Sequence, residues 1–166
     1  MADPSCHIEG LTPTHQVGAF SCGDPEIDDY LHARALAEQS QGLSRAYLLI
    51  EGEQVVRGYF TLSPLSIRPD EALLTTLGLA PAPYPAVGGY LLGRLGVDRK
   101  LQSRGIGTAL VARASQIAAR QQPIVGGVFL AVDAKTDRLA RWYEVLGFKR
   151  LSPARRRLVL PLGTLR

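Results

Sequence analysis

The stretch that most constrains this chain is Val97 to Thr108, which reads V-D-R-K-L-Q-S-R-G-I-G-T. It follows an apolar run and precedes a segment with helical periodicity, so it predicts a strand-to-helix connection. The first backbone N–H groups of a helix lack intrahelical partners and carry partial positive charge, so they can hold a phosphate. Gly105 and Gly107 present no Cβ to such an anion, and Gln102 and Arg104 add side-chain donors. The stretch therefore predicts an anion-binding cradle.

Length and composition favour one ordinary domain. The chain has 166 residues, of which 46% are hydrophobic and 20% are charged, so we predict a single domain over residues 1–166. Its apolar runs are shorter than the roughly 18 residues of a membrane span, and its first residues do not resemble a signal peptide, so a cytoplasmic location is expected. Cys6 and Cys22 lack C-x-x-C spacing and predict idle thiols, with neither a disulfide framework nor a metal site.

Charge is divided unevenly along the sequence. Residues 1–93 hold 4 Lys or Arg against 11 Asp or Glu, and residues 94–166 hold 15 against 4, which gives −7 and +11 and the net charge of +4. The basic half contains the cradle, so a polyanionic partner is expected, either the phosphates of a cofactor or a nucleic acid. The alternative is that folding mixes both halves on one surface.

Hydrophobic patterning predicts a mixed α/β fold, with helices on the faces of a sheet of six or seven strands. A helix capped by Asp24 comes first, with an apolar stripe of Ile27, Tyr30, Leu31 and Leu36. The later elements are predicted as a hairpin of strands 46–50 and 55–62, a short helix 70–77, a strand 90–97, a helix from 106 to Pro123, a strand 125–132, a helix from Thr136 or Asp137 to Gly147, and strands 149–151 and 157–160.

Glycine and proline positions refine this outline. Ser63-Pro64 is expected to end the second strand of the hairpin, because proline cannot donate to a sheet ladder. Gly93 and Gly96 lie in the strand before the cradle and are expected to permit a bulge or the close approach of a ligand.

Three glycine patterns compete for the cradle. The G-x-x-x-x-G-K-[ST] loop needs a Lys after its last glycine, and none follows Gly107. The dinucleotide pattern G-x-G-x-x-G fails at Leu110, and no acid stands about 20 residues further on. The pattern Q-x-x-G-x-G is matched by Gln102, Gly105 and Gly107. It resembles the pyrophosphate-binding signature of the GNAT superfamily of acetyl-CoA dependent N-acetyltransferases.

The setting of this motif extends the resemblance. The stretch L-G-R-L-G-V-D-R-K-L-Q-S-R-G-I-G-T-A-L-V resembles the strand, loop and helix of that family throughout. Further on, R-W-Y-E-V-L-G-F resembles the family's helix that ends in an aromatic-Tyr pair and then Gly-Phe. The resemblance implies the GNAT fold, in which a splayed pair of central strands forms the acetyl-CoA cleft.

The same resemblance implies roles for individual residues. Backbone amides of Arg104, Gly105, Ile106, Gly107 and Thr108 would hold the pyrophosphate of coenzyme A, with the side chains of Arg99, Gln102 and Arg104 alongside. The N–H groups of Leu95 and Val97 would pair with the pantetheine arm, and one of them would stabilise the oxyanion.

Tyr143 occupies the position of the family's general acid toward the departing thiolate. A phenol with an ordinary pKa near 10 is a weaker acid than a thiol near 8.5, so hydrogen bonding is implied more than full proton transfer. The alternative is that Tyr143 is a core aromatic beside Trp142.

No residue stands out as a general base. His7, His15 and His32 lie in the N-terminal part and are expected to be surface or packing residues. Asp133, at the end of a predicted strand, is at least as consistent with a buried structural or capping carboxylate. Without a base, the acceptor amine should already be largely neutral. An α-amino group, with a pKa of about 7.7–8.0, meets this condition, and a lysine near 10.4 does not.

Three N-terminal segments narrow the resemblance. F-S-C-G-D-P-E-I-D-D-Y-L, G-L-S-R-A-Y-L-L and V-R-G-Y-F-T-L-S-P-L-S-I resemble segments of the TacT-like GNAT toxins of bacterial toxin-antitoxin pairs. That branch implies acetylation of the α-amino group of aminoacyl-tRNA, a translation block, a ribbon-helix-helix antitoxin and a homodimer. The basic residues considered for tRNA contact are Arg34, Arg45, Arg94, Lys135, Arg138, Arg141 and Arg155 to Arg157.

Two other functions stay open at this point. The first is an ordinary GNAT enzyme that acetylates a small amine or a protein N-terminus. The second is a non-catalytic coenzyme A sensor or antitoxin-binding scaffold, which would keep the cradle and turn nothing over.

Overall fold

A seven-stranded mixed sheet with five helices makes up the described part of the chain, residues 5–81 and 83–165 of a computed structural model. The strand order is β1-β2-β3-β4-β5-β7-β6, with β4 and β5 parallel. The strands are β1 Cys6–Gly10, β2 Arg45–Glu51, β3 Val55–Ile67, β4 Val87–Val97, β5 Phe129–Asp133, β6 Lys149–Arg150 and β7 Arg157–Pro161. The helices are α1 Pro25–Ala33, α2 Ala35–Ser40, α3 Glu71–Leu77, α4 Ile106–Val125 and α5 Asp137–Val145. The predicted mixed α/β fold is confirmed.

The chain divides into two compact units, each assembled from two stretches of sequence. The first unit is Met1–Ser63 with Gly93–Ala114, and the second is Pro64–Leu92 with Ser115–Arg166. The first unit contains the predicted cradle, and the second contains α5 with Tyr143.

The first unit has its core around α1 and the antiparallel strands β1, β2 and β3. Asp24 caps α1 as predicted, since its carboxylate accepts a hydrogen bond from the Glu26 N–H at 3.0 Å. The buried Tyr59 of β3 donates its hydroxyl hydrogen to the Ile27 carbonyl oxygen at 2.6 Å. The predicted hairpin is confirmed, and β1 adds a strand to it that the sequence patterning did not reveal.

The first helix ends earlier than predicted. Arg34 leaves helical geometry with φ −124° and ψ −32°, and α2 begins at Ala35. After this break Ala35 is 1% exposed and Leu36 is 39% exposed. The placement of Leu36 on the apolar stripe is therefore wrong, because the stripe assumed one continuous helix.

Two prolines lie inside elements that they were expected to end. Strand β3 continues through Pro64 to Ile67, and β2 begins at Arg45 opposite Leu62, so the missing N–H of Pro64 costs no bond to β2. Helix α4 continues past Pro123 to Val125, where only the last turn is affected.

The second unit has a core of Leu73, Val87, Phe129, Ala131 and Val159. The predicted short helix is α3, capped by Asp70 and closed by Gly78 with a φ of 68°. Thr136, one of the two predicted caps of α5, accepts a hydrogen bond from the Leu139 N–H at 3.1 Å. Strand β5 begins at Phe129 and not at 125, because Gly126 and Gly127 form a turn with φ angles of 82° and 106°.

The glycines near the end of β4 permit close packing within the first unit. A Cβ at Gly96 would lie 2.8 Å from Ile27 Cγ2 and 3.3 Å from Phe20 Cζ, and one at Gly93 would lie 3.0 Å from Thr61 Oγ1. Protein side chains, and not a ligand, thus occupy the space that the missing Cβ of Gly96 leaves.

This packing predicts that Gly96→Ala destabilises the protein. Forcing a methyl group against Ile27 and Phe20 should lower the free energy of unfolding by about 1–3 kcal/mol. Urea unfolding followed by circular dichroism measures the change. Gly88→Ala on the same strand is the matched control, because a Cβ there meets nothing within 4 Å. Equal unfolding midpoints for the two variants would contradict the packing role of Gly96.

Candidate active site

The predicted anion cradle lies between β4 and α4 in the first unit. A 3-10 turn at Arg99–Leu101 leads into it, and α4 begins at Ile106. Ser103 and Gly105 have φ angles of 64° and 80° and turn the chain from strand to helix. Residues 102–105 are exposed, and a Cβ at Gly105 would meet nothing within 4 Å. The space beside this turn is therefore open to a ligand.

The start of α4 offers backbone donors to that open space. The Ala109 N–H bonds to the Gly105 carbonyl oxygen at 3.1 Å, so the N–H groups of Ile106, Gly107 and Thr108 precede the helical ladder. Together with the positive end of the helix dipole they fit a pyrophosphate group. The glycine at 105 is required by its positive φ and not by crowding.

Asp98 holds the first part of the cradle. Its carboxylate accepts hydrogen bonds from the Lys100 N–H at 2.9 Å and from Arg57 Nη1 at 3.2 Å, and its own N–H donates to the Arg57 carbonyl oxygen at 2.9 Å. Arg57 also donates from Nε to Glu51 at 2.6 Å, and this hydrogen bond raises the pKa of the guanidinium. Sequence reasoning missed Arg57, because it lies 41 residues from Asp98 and belongs to no motif.

A second set of bonds ties the cradle to Ser21 and Cys22, which we name the strap. The Arg99 N–H donates to the Ser21 carbonyl oxygen at 3.0 Å. Gln102 Nε2 donates to the carbonyl oxygens of Cys22 at 2.7 Å and Val97 at 3.0 Å. Both amide hydrogens of Gln102 are thereby used inside the protein, so Gln102 braces the loop. Its predicted donation to a pyrophosphate remains a prediction.

The end of β4 carries the backbone groups predicted to meet the pantetheine arm. The pairing of β4 with β5 covers Tyr90–Leu92, opposite Leu130–Val132, and β4 runs on to Val97. Leu95 and Val97 are half-buried in this continuation. The side chains of Arg99 and Arg104 are exposed, and the stem of Arg99 lies over Gly23.

Tyr143 lies on the buried face of α5 in the second unit. It is 8% exposed and makes edge contacts with Trp142 and Phe148. Burial raises the pKa of its phenol to about 12, so the hydroxyl keeps its proton at neutral pH. In the described part of the chain this hydroxyl has no hydrogen-bond partner. Tyr143 is thus packed as a core aromatic and also keeps a donor that a ligand can use.

The basic residues of the first unit differ in their surroundings. The Arg94 guanidinium lies 3.6 Å from the centre of the Tyr30 ring, and that of Arg34 lies 5.5 Å away. Arg34 also pairs with Glu38 at 2.7 Å. Both arginines therefore have structural partners, whereas Arg45 is an exposed residue of β2.

The arginine run of the second unit is largely engaged in ion pairs. Arg157 donates twice to the carboxylate of Asp133, at 2.7 Å each, and Arg156 donates to Asp137 at 3.4 Å and to the Lys135 carbonyl oxygen at 2.8 Å. Asp133 is thus a structural carboxylate, and it is exposed, not buried. The other basic residues of this unit that were considered for tRNA contact are also exposed, namely Lys135, Arg138, Arg141 and Arg155.

The three histidines are engaged near the N-terminus. His15 accepts at Nδ1 from the Thr12 N–H, which places its proton on Nε2, 2.6 Å from Glu9. His7 also contacts Glu9, and His32 Nε2 lies 2.8 Å from the Phe20 carbonyl oxygen. These contacts agree with the expected surface or packing roles.

Within residues 5–81 and 83–165, no three His, Cys, Asp or Glu side chains come together as metal ligands would. No helix in these ranges has the length and apolar content needed to cross a membrane.

Comparison with known proteins places these features in a family. Residues 43–150 match the acetyltransferase (GNAT) domain model. A tRNA-acetylating toxin of Mycobacterium tuberculosis (strain ATCC 25618 / H37Rv) is 34% identical over 143 residues, which are 86% of this chain and 83% of that protein.

Solved structures agree with the family match. AtaT complexed with acetyl-methionyl-tRNAfMet has a TM-score of 0.84, with 27% identity over 96% of each chain. AtaTR bound with acetyl-CoA has a TM-score of 0.83, with 28% identity over 97% of this chain and 96% of that one. The family model covers the cradle and α5, so the chain belongs to the GNAT acetyltransferase family.

Proposed function

We propose that the protein transfers the acetyl group of acetyl-CoA to the α-amino group of aminoacyl-tRNA and acts as the toxin of a toxin-antitoxin pair. The observation that carries this proposal is the 34% identity over 143 residues to a tRNA-acetylating toxin. The likeness to AtaT, which has been solved with acetyl-methionyl-tRNAfMet and with its antitoxin AtaR, supports it. A tRNA acceptor implies action in the cytoplasm.

The cradle would hold the donor. Acetyl-CoA supplies an activated thioester when it is bound. The N–H groups of Ile106, Gly107 and Thr108 would bind its pyrophosphate, with the exposed guanidinium groups of Arg99 and Arg104 alongside. The open space at Gly105 and the exposed loop support this assignment.

The continuation of β4 would hold the rest of the donor. The N–H groups of Leu95 and Val97, beyond the pairing with β5, would bind the pantetheine arm. One of them would stabilise the negative charge that develops on the acetyl oxygen during attack. A single donor in this role is worth about 2.7–4 kcal/mol of barrier lowering.

Tyr143 would stabilise the departing thiolate. Its hydroxyl has no partner in the described part of the chain, and burial raises the pKa of its phenol to about 12. A thiol near 8.5 is a far stronger acid, so Tyr143 would donate a hydrogen bond without giving up its proton completely.

Helix α5 would present the acceptor surface. Ala140 and Tyr143 are buried on one face, while Arg138, Arg141 and Val145, spaced by three and four residues, are exposed on the other. Exposed guanidinium groups suit contacts with the phosphates of a nucleic acid, which give affinity without reading sequence. The other exposed candidates for tRNA contact are Arg45, Lys135 and Arg155. The guanidinium groups of Arg34 and Arg94 lie over the Tyr30 ring, so any contact that they make with tRNA would be made beside that ring.

We also propose one acetyltransferase domain over residues 1–166, a homodimer and a ribbon-helix-helix antitoxin. The family model spans parts of both compact units, which supports a single domain. Complexes of AtaT-AtaR and KacTA with DNA support an antitoxin that binds DNA. Light scattering of the purified protein tests the dimer.

Replacing Tyr143 with Phe should abolish most of the transfer. The variant loses the hydroxyl group that would donate a hydrogen bond to the departing thiolate. We therefore expect the transfer of labelled acetyl to total charged tRNA to fall about 100-fold or more. Coenzyme A affinity, measured by calorimetry, should stay unchanged.

The control for this experiment is Tyr84→Phe, which removes a hydroxyl from an exposed tyrosine. Wild-type rates in Tyr143→Phe would contradict the assigned role. Absence of label on every charged tRNA with the wild-type protein would contradict the acceptor, and labelling of small amines or protein N-termini instead would identify an ordinary acetyltransferase.

Replacing Arg138 or Arg141 with Ala should lower the affinity for tRNA and make that affinity less dependent on salt concentration. For each phosphate that a variant can no longer neutralise, the slope of log K against log salt concentration should become shallower by about 0.7–0.9. Fluorescence anisotropy with tRNA over a salt series gives this slope. Arg120→Ala, an exposed arginine of α4 outside the proposed surface, carries the same charge change. Slopes that shift equally in all three variants would contradict a binding surface on α5.

A further inference from the structure

Asp28 is a buried carboxylate that the proposed chemistry does not use. It is 9% exposed, and it is the only charged side chain in the described part of the chain that is buried. Leu31, three residues further along α1, is buried as well. Burying a carboxylate is costly unless hydrogen bonds compensate for the loss of water, so its partners indicate its purpose.

Both partners of Asp28 belong to the strap. The Cys22 N–H donates to Oδ1 at 2.8 Å, and the Ser21 hydroxyl donates to Oδ2 at 3.2 Å. Burial raises the pKa of Asp28, but these hydrogen bonds outweigh it and hold the pKa below its ordinary value. The carboxylate therefore stays charged at neutral pH and can hold both donors.

The strap uses its remaining backbone groups to hold the cradle. The Ser21 carbonyl oxygen accepts from the Arg99 N–H at 3.0 Å, and the Cys22 carbonyl oxygen accepts from Gln102 Nε2 at 2.7 Å. The same two residues thus bond to Asp28 through their donors and to the cradle through their acceptors. A continuous set of hydrogen bonds runs from α1 to the loop that precedes α4.

We infer that Asp28 is a positioning residue for coenzyme A binding, an inference that rests on the proposed use of acetyl-CoA as donor. Asp28 fixes the strap, the strap fixes Arg99 and Gln102, and these residues precede the turn at Ser103 and Gly105. Removing the carboxylate frees the strap, so the cradle loses part of its order before the ligand arrives. Ligand binding must then restore that order, which weakens affinity.

A purely structural role is the competing explanation, and the chain offers a matched control for it. Tyr59 also anchors α1, through its hydroxyl bond to the Ile27 carbonyl oxygen at 2.6 Å. Tyr59→Phe removes a buried hydrogen bond from the helix that carries Asp28 without removing any bond of the strap. The two variants therefore separate loss of helix anchoring from loss of the strap.

The first measurement is calorimetric titration of the full-length protein with coenzyme A. Asp28→Ala should raise Kd roughly tenfold or more, because it removes two hydrogen bonds to a charged group. Asp28→Asn should fall between Asp28→Ala and the wild type, since its amide oxygen can still accept from the Cys22 N–H. Tyr59→Phe should stay close to the wild type. In turnover assays, Asp28→Ala should raise the KM for acetyl-CoA and leave kcat at saturation nearly unchanged.

The second measurement is amide hydrogen exchange on the ligand-free protein. In Asp28→Ala the N–H groups of Cys22 and Arg99 should exchange faster, whereas Tyr59→Phe should leave both unchanged. If Asp28→Ala does not fold, Asp28→Asn and Gln102→Ala provide the comparison. Asp28→Asn loses the acceptor of the Ser21 hydroxyl, and Gln102→Ala loses the hydrogen bond to the Cys22 carbonyl oxygen.

Failure of the role proposed for Asp28 can be told apart from failure of the proposed use of acetyl-CoA. If the wild-type protein does not bind coenzyme A, both proposals are overturned. Wild-type binding with an affinity that Asp28→Ala changes no more than Tyr59→Phe overturns the inference alone. Unchanged exchange at Arg99 in Asp28→Ala also overturns it, because the strap would then hold the cradle without the carboxylate.

Discussion

The left-handed backbone at Ser103 and Gly105 is the constraint on which the geometry of the cradle depends. Glycine adopts such a conformation freely, but a serine with a φ of 64° is strained by about 1–3 kcal/mol. A conformation of this kind persists only where surrounding bonds fix the chain. Here Asp98 holds one end of the loop, and the strap holds Arg99 and Gln102. The first turn of α4 thereby follows an exposed loop, and its N–H groups precede the helical ladder.

This arrangement changes the meaning of the glutamine-glycine motif. Gly105 is required for its backbone angle, since a Cβ there would meet nothing within 4 Å. Gln102 uses its amide hydrogens on two carbonyl oxygens of the protein, so its part is to shape the loop. The motif therefore describes a backbone geometry more than a set of side-chain ligands.

What could be predicted from the sequence was local. Asp24, Asp70 and Thr136 cap their helices as their residue types suggest, and the strand, cradle and helix follow from adjacent segments. What could not be predicted depends on distant partners. Asp28 lies in the first turn of α1, where an acid can face solvent beside the positive end of the helix dipole, yet it is buried. Its spacing of three residues from Leu31 was the available signal, but only the folded chain shows that the strap supplies its hydrogen bonds.

The choice of an α-amino group as the acceptor rests on the general-base candidates, each of which is already engaged or unsuited to accept a proton. The three histidines contact Glu9 or the Phe20 carbonyl oxygen, and Asp133 is held by Arg157. Tyr143, with a pKa raised to about 12, can donate a hydrogen bond but cannot accept a proton at neutral pH. An amine that must arrive neutral is better served by an α-amino group, with a pKa of about 7.7–8.0, than by a lysine near 10.4. Aminoacyl-tRNA carries such an amine next to phosphates that an arginine-bearing helix face can bind.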